Sequence, residues 1–196
     1  MSVAPWSDPD PSKPLPLLAS LREDIRAHVP PDRRRPDGRA PFSSSIAVIF
    51  MSAGFHLTMY YRVAHTARHR LGWPGRAVAW SLDLWMLHHH ASAIAPTARL
   101  HGGLSLPHPV GIVVGGGAVL GPRSWVYQHA TIGGAPGRAG MPAIGSDARI
   151  GAGAAVLGPI TVGDRVSIGA NAVVARDVPA DSVVGPAPTV VRAVDP

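Results

Sequence analysis

The chain of 196 residues contains no cysteine, which excludes disulfide scaffolds, zinc fingers, iron–sulfur sites and thiol nucleophiles. Lysine and glutamate are almost absent as well, since Lys13 and Glu23 are the only residues of their kinds. The net charge of +6 is therefore carried by arginine, whose planar guanidinium favours phosphate and carboxylate partners. Because the arginines are scattered along the chain, we expect no nucleic-acid-binding surface.

The sequence also lacks an apolar run long enough to predict a membrane-spanning helix. Residues 46–61 form the most apolar stretch, but this stretch is too short for a span and contains Ser52 and His56. It predicts a helix that is buried or faces another copy of the chain. Residues 1–16 are polar and proline-rich, without the cationic start and apolar stretch of a signal peptide, so we expect a cytoplasmic protein.

Apolar residues make up 46% of the chain, enough to fill a core, and 22 glycines and 21 prolines indicate frequent turns. Residues 1–13 are predicted to be a flexible leader, and residues 14–92 a helical domain. Apolar residues at helical spacing, with proline- and glycine-rich breaks between them, divide this domain into three helices. The predicted helices cover residues 14–28, from residues 43–45 to about 70, and roughly 76–90, with breaks at residues 30–41 and 72–75.

From Ile94 onward, aliphatic residues recur every six positions, a period that neither an α-helix nor a single strand produces. The phase slips by two residues between Ile112 and Val114, and a twelve-residue interval separates Ile132 from Ile144. Short strands joined by glycine-containing turns fit this period, with three hexads closing one coil. The aliphatic positions are Ile94, Leu100, Leu106, Ile112, Val114, Leu120, Val126, Ile132, Ile144, Ile150, Val156, Val162, Ile168 and Val174.

The predicted fold class is therefore α+β, with an N-terminal helical unit followed by a left-handed parallel β-helix of hexapeptide repeats. We expect the β-helix over residues 93–184, an extruded loop over residues 133–143 and a C-terminal tail over residues 185–196. The loop has the composition GGAPGRAGMPA and leaves the phase of the repeat intact.

Several segments make the chain similar to the hexapeptide-repeat acyltransferases, and in detail to the serine O-acetyltransferase group. The segments LREDIRAH at 21–28 and GFHLTMYYRVAH at 54–65 resemble that group's helical domain. The group's coil domain is similar to three further segments, namely LPHPVGIVVG at 106–115, VYQHATIGG at 126–134 and the hexads of 149–184. The resemblance implies transfer of an acetyl group from acetyl-CoA to a hydroxyl, with no metal. It also implies a homotrimer or a dimer of trimers.

By position in these motifs, the resemblance assigns His108 as the general base. An alcohol is a weak nucleophile at neutral pH, and a histidine is suited to accept its proton. Backbone N–H groups of a glycine-rich turn are candidates to hold the developing oxyanion. The resemblance further implies a loop start at Gly133 and Gly134 that covers the CoA arm, and small positions for the pantetheine at Ala152 and Ala170. Arg165 or Arg176 is expected to meet CoA phosphates, and His129 and Met141 are candidate acceptor contacts.

Three departures from the group bear on the acceptor. The group has an aspartate at the start of the coil, where this chain has Ala93-Ile94-Ala95-Pro96. The group's acid before the catalytic histidine is replaced by Pro107, and the Arg-His-Pro end of its loop is replaced by Gly140-Met141-Pro142. No acid occurs between Asp83 and Asp147. Because an amino-acid ammonium normally requires a carboxylate, we expect a sugar or secondary-metabolite hydroxyl rather than free serine. We expect a backbone carbonyl, Asp83 or a neighbouring chain to orient His108.

Other interpretations remain open. A serine acetyltransferase with replaced carboxylates keeps the group's activity, whereas a β-helix without catalysis acts as a scaffold. A hexapeptide carbonic anhydrase requires three zinc histidines at a spacing that His101, His108 and His129 do not show. The adjacent residues His88–His90 splay around a helix, so they are interpreted as a helix end rather than a metal site, and His101 as a solvent residue.

Overall fold

The computed structural model describes residues 13–34, 37 and 40–187, with helices in the first part and short strands in the second. Most of the predicted leader and the end of the predicted tail lie outside these residues. The helices are α1 Leu17–His28, α2 Phe42–Met51, α3 Ala53–Arg70 and α4 Gly72–His90, with a short 3₁₀ turn at Pro31–Arg33. The strands are β1 Ala93–Ile94, β2 Arg99–Leu100, β3 Val113–Val114, β4 Val119–Leu120, β5 Trp125–Val126, β6 Thr131–Gly133, β7 Ala143–Ile144, β8 Arg149–Ile150, β9 Ala155–Leu157, β10 Thr161–Val162, β11 Ser167–Ile168, β12 Val173–Val174 and β13 Val183–Val184.

The prediction of one helix from residues 43–45 to 70 is wrong, because the chain bends by 80° between α2 and α3. Ser52 stands at the break in an extended conformation, and its Oγ accepts a hydrogen bond from the Phe55 N–H at 3.2 Å. This bond satisfies one of the free N–H groups at the start of α3, as an N-cap serine does. Ser52 is therefore both the C-cap of α2 and the N-cap of α3.

The start predicted near residue 76 for the last helix is also wrong, because α4 begins at Gly72. Pro74 is compatible with this start, since a proline in the first helical turn gives up an N–H that has no partner there. Gly75 is buried at the crossing with α3, where a Cβ would collide with the Ala67 carbonyl. Pro74 and Gly75 therefore contribute to the start of α4 and to its packing against α3, and they do not break the helix.

The strands stack into three parallel sheets, which form the faces of a left-handed β-helix. We call them sheet A (β1, β3, β6, β9, β12), sheet B (β2, β4, β7, β10) and sheet C (β5, β8, β11, β13). The aliphatic residues of the hexad pattern point inward and are buried along the whole stack, from Ile94 to Val174. The period-six prediction is confirmed in this respect.

Most turns between sheets contain a residue in the left-handed conformation, three positions after the buried aliphatic residue. Glycine fills this position at Gly103, Gly117 and Gly153. Non-glycine residues fill it elsewhere at φ between 56° and 60°: Arg123, His129, Asp147, Arg165 and Asn171. The backbone turns sharply at each of these corners as a result. The next side chain is buried, and it is small or β-branched everywhere except at Leu104.

Three departures interrupt this regular stack. The pairing of Ile94 with Val114 spans two residues more than the pairing of Val156 with Val174, and the extra length lies in the turn at residues 107–112. The second departure is the inserted loop at residues 133–143, and the third is a shorter last turn, which pairs Ile168 with Val184. The sequence slip between Ile112 and Val114 is therefore a longer turn at a single corner.

Buried polar side chains join the helices to the first coil. Arg62 of α3 pairs with Asp24 of α1 and donates to the carbonyls of Leu100 and His101. Asp24 also accepts from the backbone N–H groups of Gly103 at 3.0 Å and Leu104 at 2.9 Å. Helix and coil are therefore bonded to each other through charged groups that solvent does not reach.

In the part of the chain that the structure describes, no single helix meets the length and hydropathy that a membrane span requires. Helices α2 and α3 meet these criteria only when taken together across their bend.

Candidate active site on one edge of the beta-helix

The turns that lead from sheet C to sheet A stack into one edge of the prism, which we call the CA edge (residues 107–112, 127–130, 151–154 and 169–172). Backbone bonds connect successive turns: His129 N–H donates to the Val110 carbonyl at 2.9 Å, and Gly153 N–H to that of Gln128 at 2.9 Å. Asn171 N–H donates to the Ala152 carbonyl at 2.8 Å. The CA edge therefore brings together four of the predicted site residues, namely His108, His129, Ala152 and Ala170.

His108 lies in the longer turn of this edge, and its side chain is exposed. Its ring centroid is 6.5 Å from that of Tyr127 in the next coil, and its carbonyl accepts from the Val110 N–H at 2.9 Å. Within the described residues the imidazole nitrogens make no hydrogen bond. Asp83, one of the groups expected to orient this ring, has a buried Oδ1 with no hydrogen-bond partner there, and burial raises the pKa of its carboxyl.

The backbone that follows His108 is held by the end of α4. The His90 carbonyl accepts from the Gly111 N–H at 3.3 Å. The Ser92 hydroxyl accepts from the Ile112 N–H at 3.1 Å and lies 3.3 Å from the Pro109 carbonyl. No sequence motif points to Ser92, although it is fully buried and contacts the turn on both sides of Gly111.

The backbone that precedes His108 is held by α1 and α3. The His28 Nε2 accepts from the Leu106 N–H at 3.3 Å, while its Nδ1 donates to the Asp24 carbonyl at 2.8 Å. These bonds require a neutral ring, and burial lowers the pKa of His28 accordingly. Gly54 packs so closely that a Cβ would collide with the Leu106 carbonyl. The turn bearing His108 is thus fixed at both ends by the helical unit.

His129 occupies the equivalent turn of the next coil, with φ at 58°. Its side chain is exposed, and its ring lies so close to Gly111 that a Cβ on that glycine would collide with Nδ1. Histidine is one of the residues enriched at left-handed positions, so His129 has a role in the turn whatever else it does.

The loop residues lie on a different edge, where sheet A leads to sheet B. Met141 packs its Sδ and Cε beside Gly115 and Gly134, and Gly133 accepts a hydrogen bond from the Gly158 N–H at 2.9 Å. Arg138 ties the loop to a later coil by donating to the Ala175 carbonyl at 2.9 Å. Because sheet A separates the two edges, a single chain does not bring Met141 and Gly134 together with His108.

Arg165 lies on the third edge, where sheet B leads to sheet C. It forms a two-pronged ion pair with Asp181, with distances of 2.6 and 2.7 Å, which raises the pKa of Arg165 and lowers that of Asp181. The structure therefore places Arg165 apart from His108 and already paired. Arg176 is exposed, in the segment that follows β12.

His88, His89 and His101 contribute to the structure. His88 and His89 bond through Nδ1 to the carbonyls of Leu84 and Trp85, one helical turn earlier. His101 is half-buried beside the helical unit, where its carbonyl accepts from Arg62. Among residues 13–34, 37 and 40–187, no three histidine, aspartate or glutamate side chains are grouped to hold a metal ion.

A stack of hexapeptide coils with a histidine held on one corner defines a hexapeptide-repeat transferase. The family described as "Bacterial transferase hexapeptide (six repeats)" matches residues 142–176. Serine acetyltransferase from Mycobacterium tuberculosis is 35% identical over 170 residues, which cover 86% of this chain and 70% of that protein. The chain belongs to the serine acetyltransferase family.

Other comparisons agree with this assignment. Serine acetyltransferase from Synechococcus elongatus is 36% identical over 144 residues, covering 72% of this chain but only 57% of that protein. The solved structure of soybean serine acetyltransferase complexed with serine has a TM-score of 0.74 at 32% identity, covering 91% of this chain and 69% of that one. The chain thus spans little more than half the length of the cyanobacterial relative.

Proposed function

We propose that this protein transfers an acetyl group from acetyl-CoA to a hydroxyl of a small acceptor, with His108 as general base. The observation that carries the proposal is an exposed imidazole on a turn whose backbone is bonded to the helical unit before and after it. Such fixation is what a general base requires, since proton transfer depends on a defined distance to the reacting hydroxyl.

In the proposed reaction, the acceptor hydroxyl gives its proton to the His108 imidazole while its oxygen attacks the thioester carbonyl. The C–O bond forms, the C–S bond of the tetrahedral intermediate then breaks, and the imidazolium returns the proton to the leaving thiolate. The products are an acetyl ester and free CoA. Backbone N–H groups of the glycine-rich turns are the candidates to stabilise the oxyanion.

For the donor, Ala152 and Ala170 support the proposal because they follow His129 along the same CA edge and their side chains are small. A pantetheine arm is able to lie against the backbone at such positions. Contacts of CoA with Gly133, Gly134 and Arg165 or Arg176 remain part of the proposal. For Arg165, such a contact requires that the guanidinium bind a CoA phosphate while it is paired with Asp181.

The separation of the two edges supports a homotrimer, alone or paired with a second trimer. Met141 and the loop lie across sheet A from His108, so a neighbouring copy is needed to bring a loop to this histidine. We propose that each site combines His108 of one chain with Met141 of another.

We propose that the acceptor is not free serine, because the positions at which the family carries its acids here hold Ala93 and Pro107. His129 and Met141 then contact a different hydroxyl compound. The alternative, a true L-serine O-acetyltransferase, has support in the relatives, which are named serine acetyltransferases. A scaffold without catalysis is the remaining alternative.

The test is a free-thiol assay of CoA release from acetyl-CoA, with L-serine and with a panel of sugars and amino alcohols. We expect His108→Ala to abolish release with the acceptor that the wild type uses. The exposed His88→Ala variant, which removes a histidine from α4, is the matched control and should retain activity. Unchanged release by His108→Ala would overturn the mechanism, and CoA binding without release for any acceptor would favour the scaffold.

A further inference from the structure

The outward side of α4 carries an apolar stripe that is exposed to solvent. Its residues follow one another at intervals of four and three, and because successive residues of a helix are about 100° apart, they lie on one side of the helix. We call this set the α4 stripe: Trp73, Ala77, Trp80, Leu84 and Leu87. The two indole rings are 80% and 66% exposed. A run of large apolar side chains of this kind marks an interaction surface.

The opposite side of α4 already packs on the rest of the chain. Gly75, Ala79 and Met86 are buried on that side. Met86 belongs to the same apolar cluster as Leu57 of α3 and Ile94 of β1. The helix is therefore held in place by its inward side, and the α4 stripe has no part in attaching it to its own chain.

The α4 stripe is long and ends in exposed apolar residues. From Trp73 to Leu87 it extends over about 21 Å, at a rise of 1.5 Å per residue. Leu71, at the corner between α3 and α4, is 59% exposed and continues the apolar surface beyond the start of the helix. A flat, extended partner is able to contact the whole stripe at once.

The charged groups around the α4 stripe are cationic. Arg70 at the end of α3 and Arg76 in α4 are both exposed. Asp83 is the only acid between residues 38 and 146, an interval that contains eight arginines. Although Asp83 lies on α4, it is half-buried and its Oδ1 is fully buried, so it does not offset the arginines at the surface.

This charge distribution distinguishes between the surfaces able to cover the stripe. Two copies that met through the same face would bring Arg76 and its neighbours against identical cations, without an exposed acid of α4 to oppose them. Anionic lipid headgroups have the complementary charge and attract arginines close to a membrane surface. The boundary between headgroups and acyl chains is also where indole rings are enriched, because one part of the ring is apolar and its N–H is polar.

We propose that the α4 stripe binds the surface of an anionic lipid membrane, with α4 lying in the plane of the bilayer. Trp73, Trp80 and Leu84 then enter the boundary between headgroups and acyl chains, while Arg76 binds lipid phosphate. The inference does not rest on the proposed function, because it concerns a different surface and requires no acetyl transfer. It adds a lipid partner to the chain's expected small-molecule substrates.

The first test measures the partner's charge, by co-sedimentation of the full-length protein with lipid vesicles. One set of vesicles is phosphatidylcholine alone, and the other is an equal mixture of phosphatidylcholine and phosphatidylglycerol. We expect binding to the mixed vesicles to be about tenfold stronger or more, because several arginines lie close to the stripe. Equal binding to both sets, or binding to neither, would overturn the proposal.

The second test assigns binding to the stripe. The double variant Trp73→Gln and Trp80→Gln should bind the mixed vesicles at least about tenfold more weakly, because it removes the two largest apolar side chains from the membrane boundary. Its circular dichroism should be unchanged, since both rings are exposed. The matched control is Val173→Gln with Val183→Gln, two exposed apolar residues in the last coils. Equal loss in the control pair would overturn the assignment to α4.

The third test examines the cations beside the stripe. Arg76→Gln should weaken binding to the mixed vesicles about fivefold, since one arginine near an anionic surface is lost. Arg149→Gln is the matched control, because it lowers the net charge equally at an exposed residue of sheet C. A loss of equal size in the two variants would show general electrostatic attraction and would overturn a site on α4.

The fourth test separates lipid from a second copy as the occupant, by sedimentation velocity of the wild type and the double tryptophan variant without lipid. We expect both proteins to have the same oligomeric state. Dissociation of the variant, together with a wild type that does not bind vesicles, would make the stripe an interface between copies and overturn the proposal. The His108→Ala protein should bind vesicles like the wild type, so the outcome does not depend on the proposed function.

Discussion

The Asp24 carboxylate and the Arg62 guanidinium form an ion pair at the junction of helices and coils, with Nε 2.9 Å from Oδ2 and both side chains almost fully buried. Each partner also bonds to backbone of the first coil, Asp24 to two N–H groups and Arg62 to two carbonyls. The pair therefore satisfies its own polar groups and those of the coil end. It positions α1 beside the turn that bears His108.

Asp24→Asn should strongly destabilise the protein, because it leaves the Arg62 charge buried without a counter-ion. Breaking a buried pair in this way costs about 3–5 kcal/mol, which urea denaturation would measure as a lower free energy of unfolding. Asp181→Asn removes the acid of the exposed Arg165 pair and serves as the control, with little change expected. Equal stability of the two variants would contradict the structural role given to Asp24.

Gly54→Ala should also destabilise the protein, although alanine is the better helix former and Gly54 lies in the first turn of α3. The added Cβ would collide with the Leu106 carbonyl, so either α3 or the coil end must move. Because that coil end leads into the turn of His108, we expect acetyl transfer to fall along with thermal stability. Gly185→Ala is the matched control, since nothing lies within 4 Å of a Cβ at that position.

The stability of the protein should fall as the pH is lowered from about 6.5 towards 4, in part through His65. This ring donates from Nδ1 to the Pro96 carbonyl at 2.9 Å, while its Nε2 accepts from the Leu15 N–H at 3.4 Å. Burial, opposed only in part by the Pro96 bond, lowers the pKa of His65 to about 4. The unfolded chain therefore binds a proton in this pH range that the folded chain does not, which favours unfolding.

The measurement is urea denaturation of the wild type and of His65→Gln at pH 7 and pH 5. We expect the variant to be the less stable protein at pH 7 and the difference to narrow at pH 5, because glutamine does not titrate. The carboxylates shared by both proteins cancel in this comparison. A difference that stays constant between the two pH values would show that His65 contributes nothing to the pH dependence.

His129→Asn should leave stability unchanged and raise the KM for the acceptor. Asparagine tolerates the left-handed conformation, and Asn171 already occupies the equivalent turn position two coils later. The substitution thus keeps the turn but removes the imidazole that lies next to the coil of His108. Steady-state kinetics check the expectation. An unchanged KM would restrict His129 to its role in the turn.

The β-helix was predictable because each hexad contributes one inward aliphatic residue to the core, which gives the sequence a period of six. The turn residues were harder to predict, because arginine rarely adopts the left-handed conformation and yet does so at Arg123 and Arg165. There the sharp turn is imposed by the coil on both sides, and the guanidinium then pairs with an aspartate at the same corner of the next coil.

The site was predictable only where it depends on a local motif. His108 and His129 lie in short segments that the repeat pattern isolates, and the structure places both on the CA edge. The buried pair was not predictable, because Asp24 and Arg62 are far apart in sequence and such charges are usually exposed.

The turn at residues 107–112 is two residues longer than its regular counterparts. This added length affects which substitutions the sequence can accept while the fold is kept. Each coil of a solenoid contacts only its neighbours, so the added residues do not alter the register of the coils that follow. Shape and reactivity are therefore encoded in separate residues. The inward aliphatic positions preserve the prism, while the longer turn at one corner carries the proposed general base. A new acceptor preference can arise by substitution around this corner without rebuilding the stack.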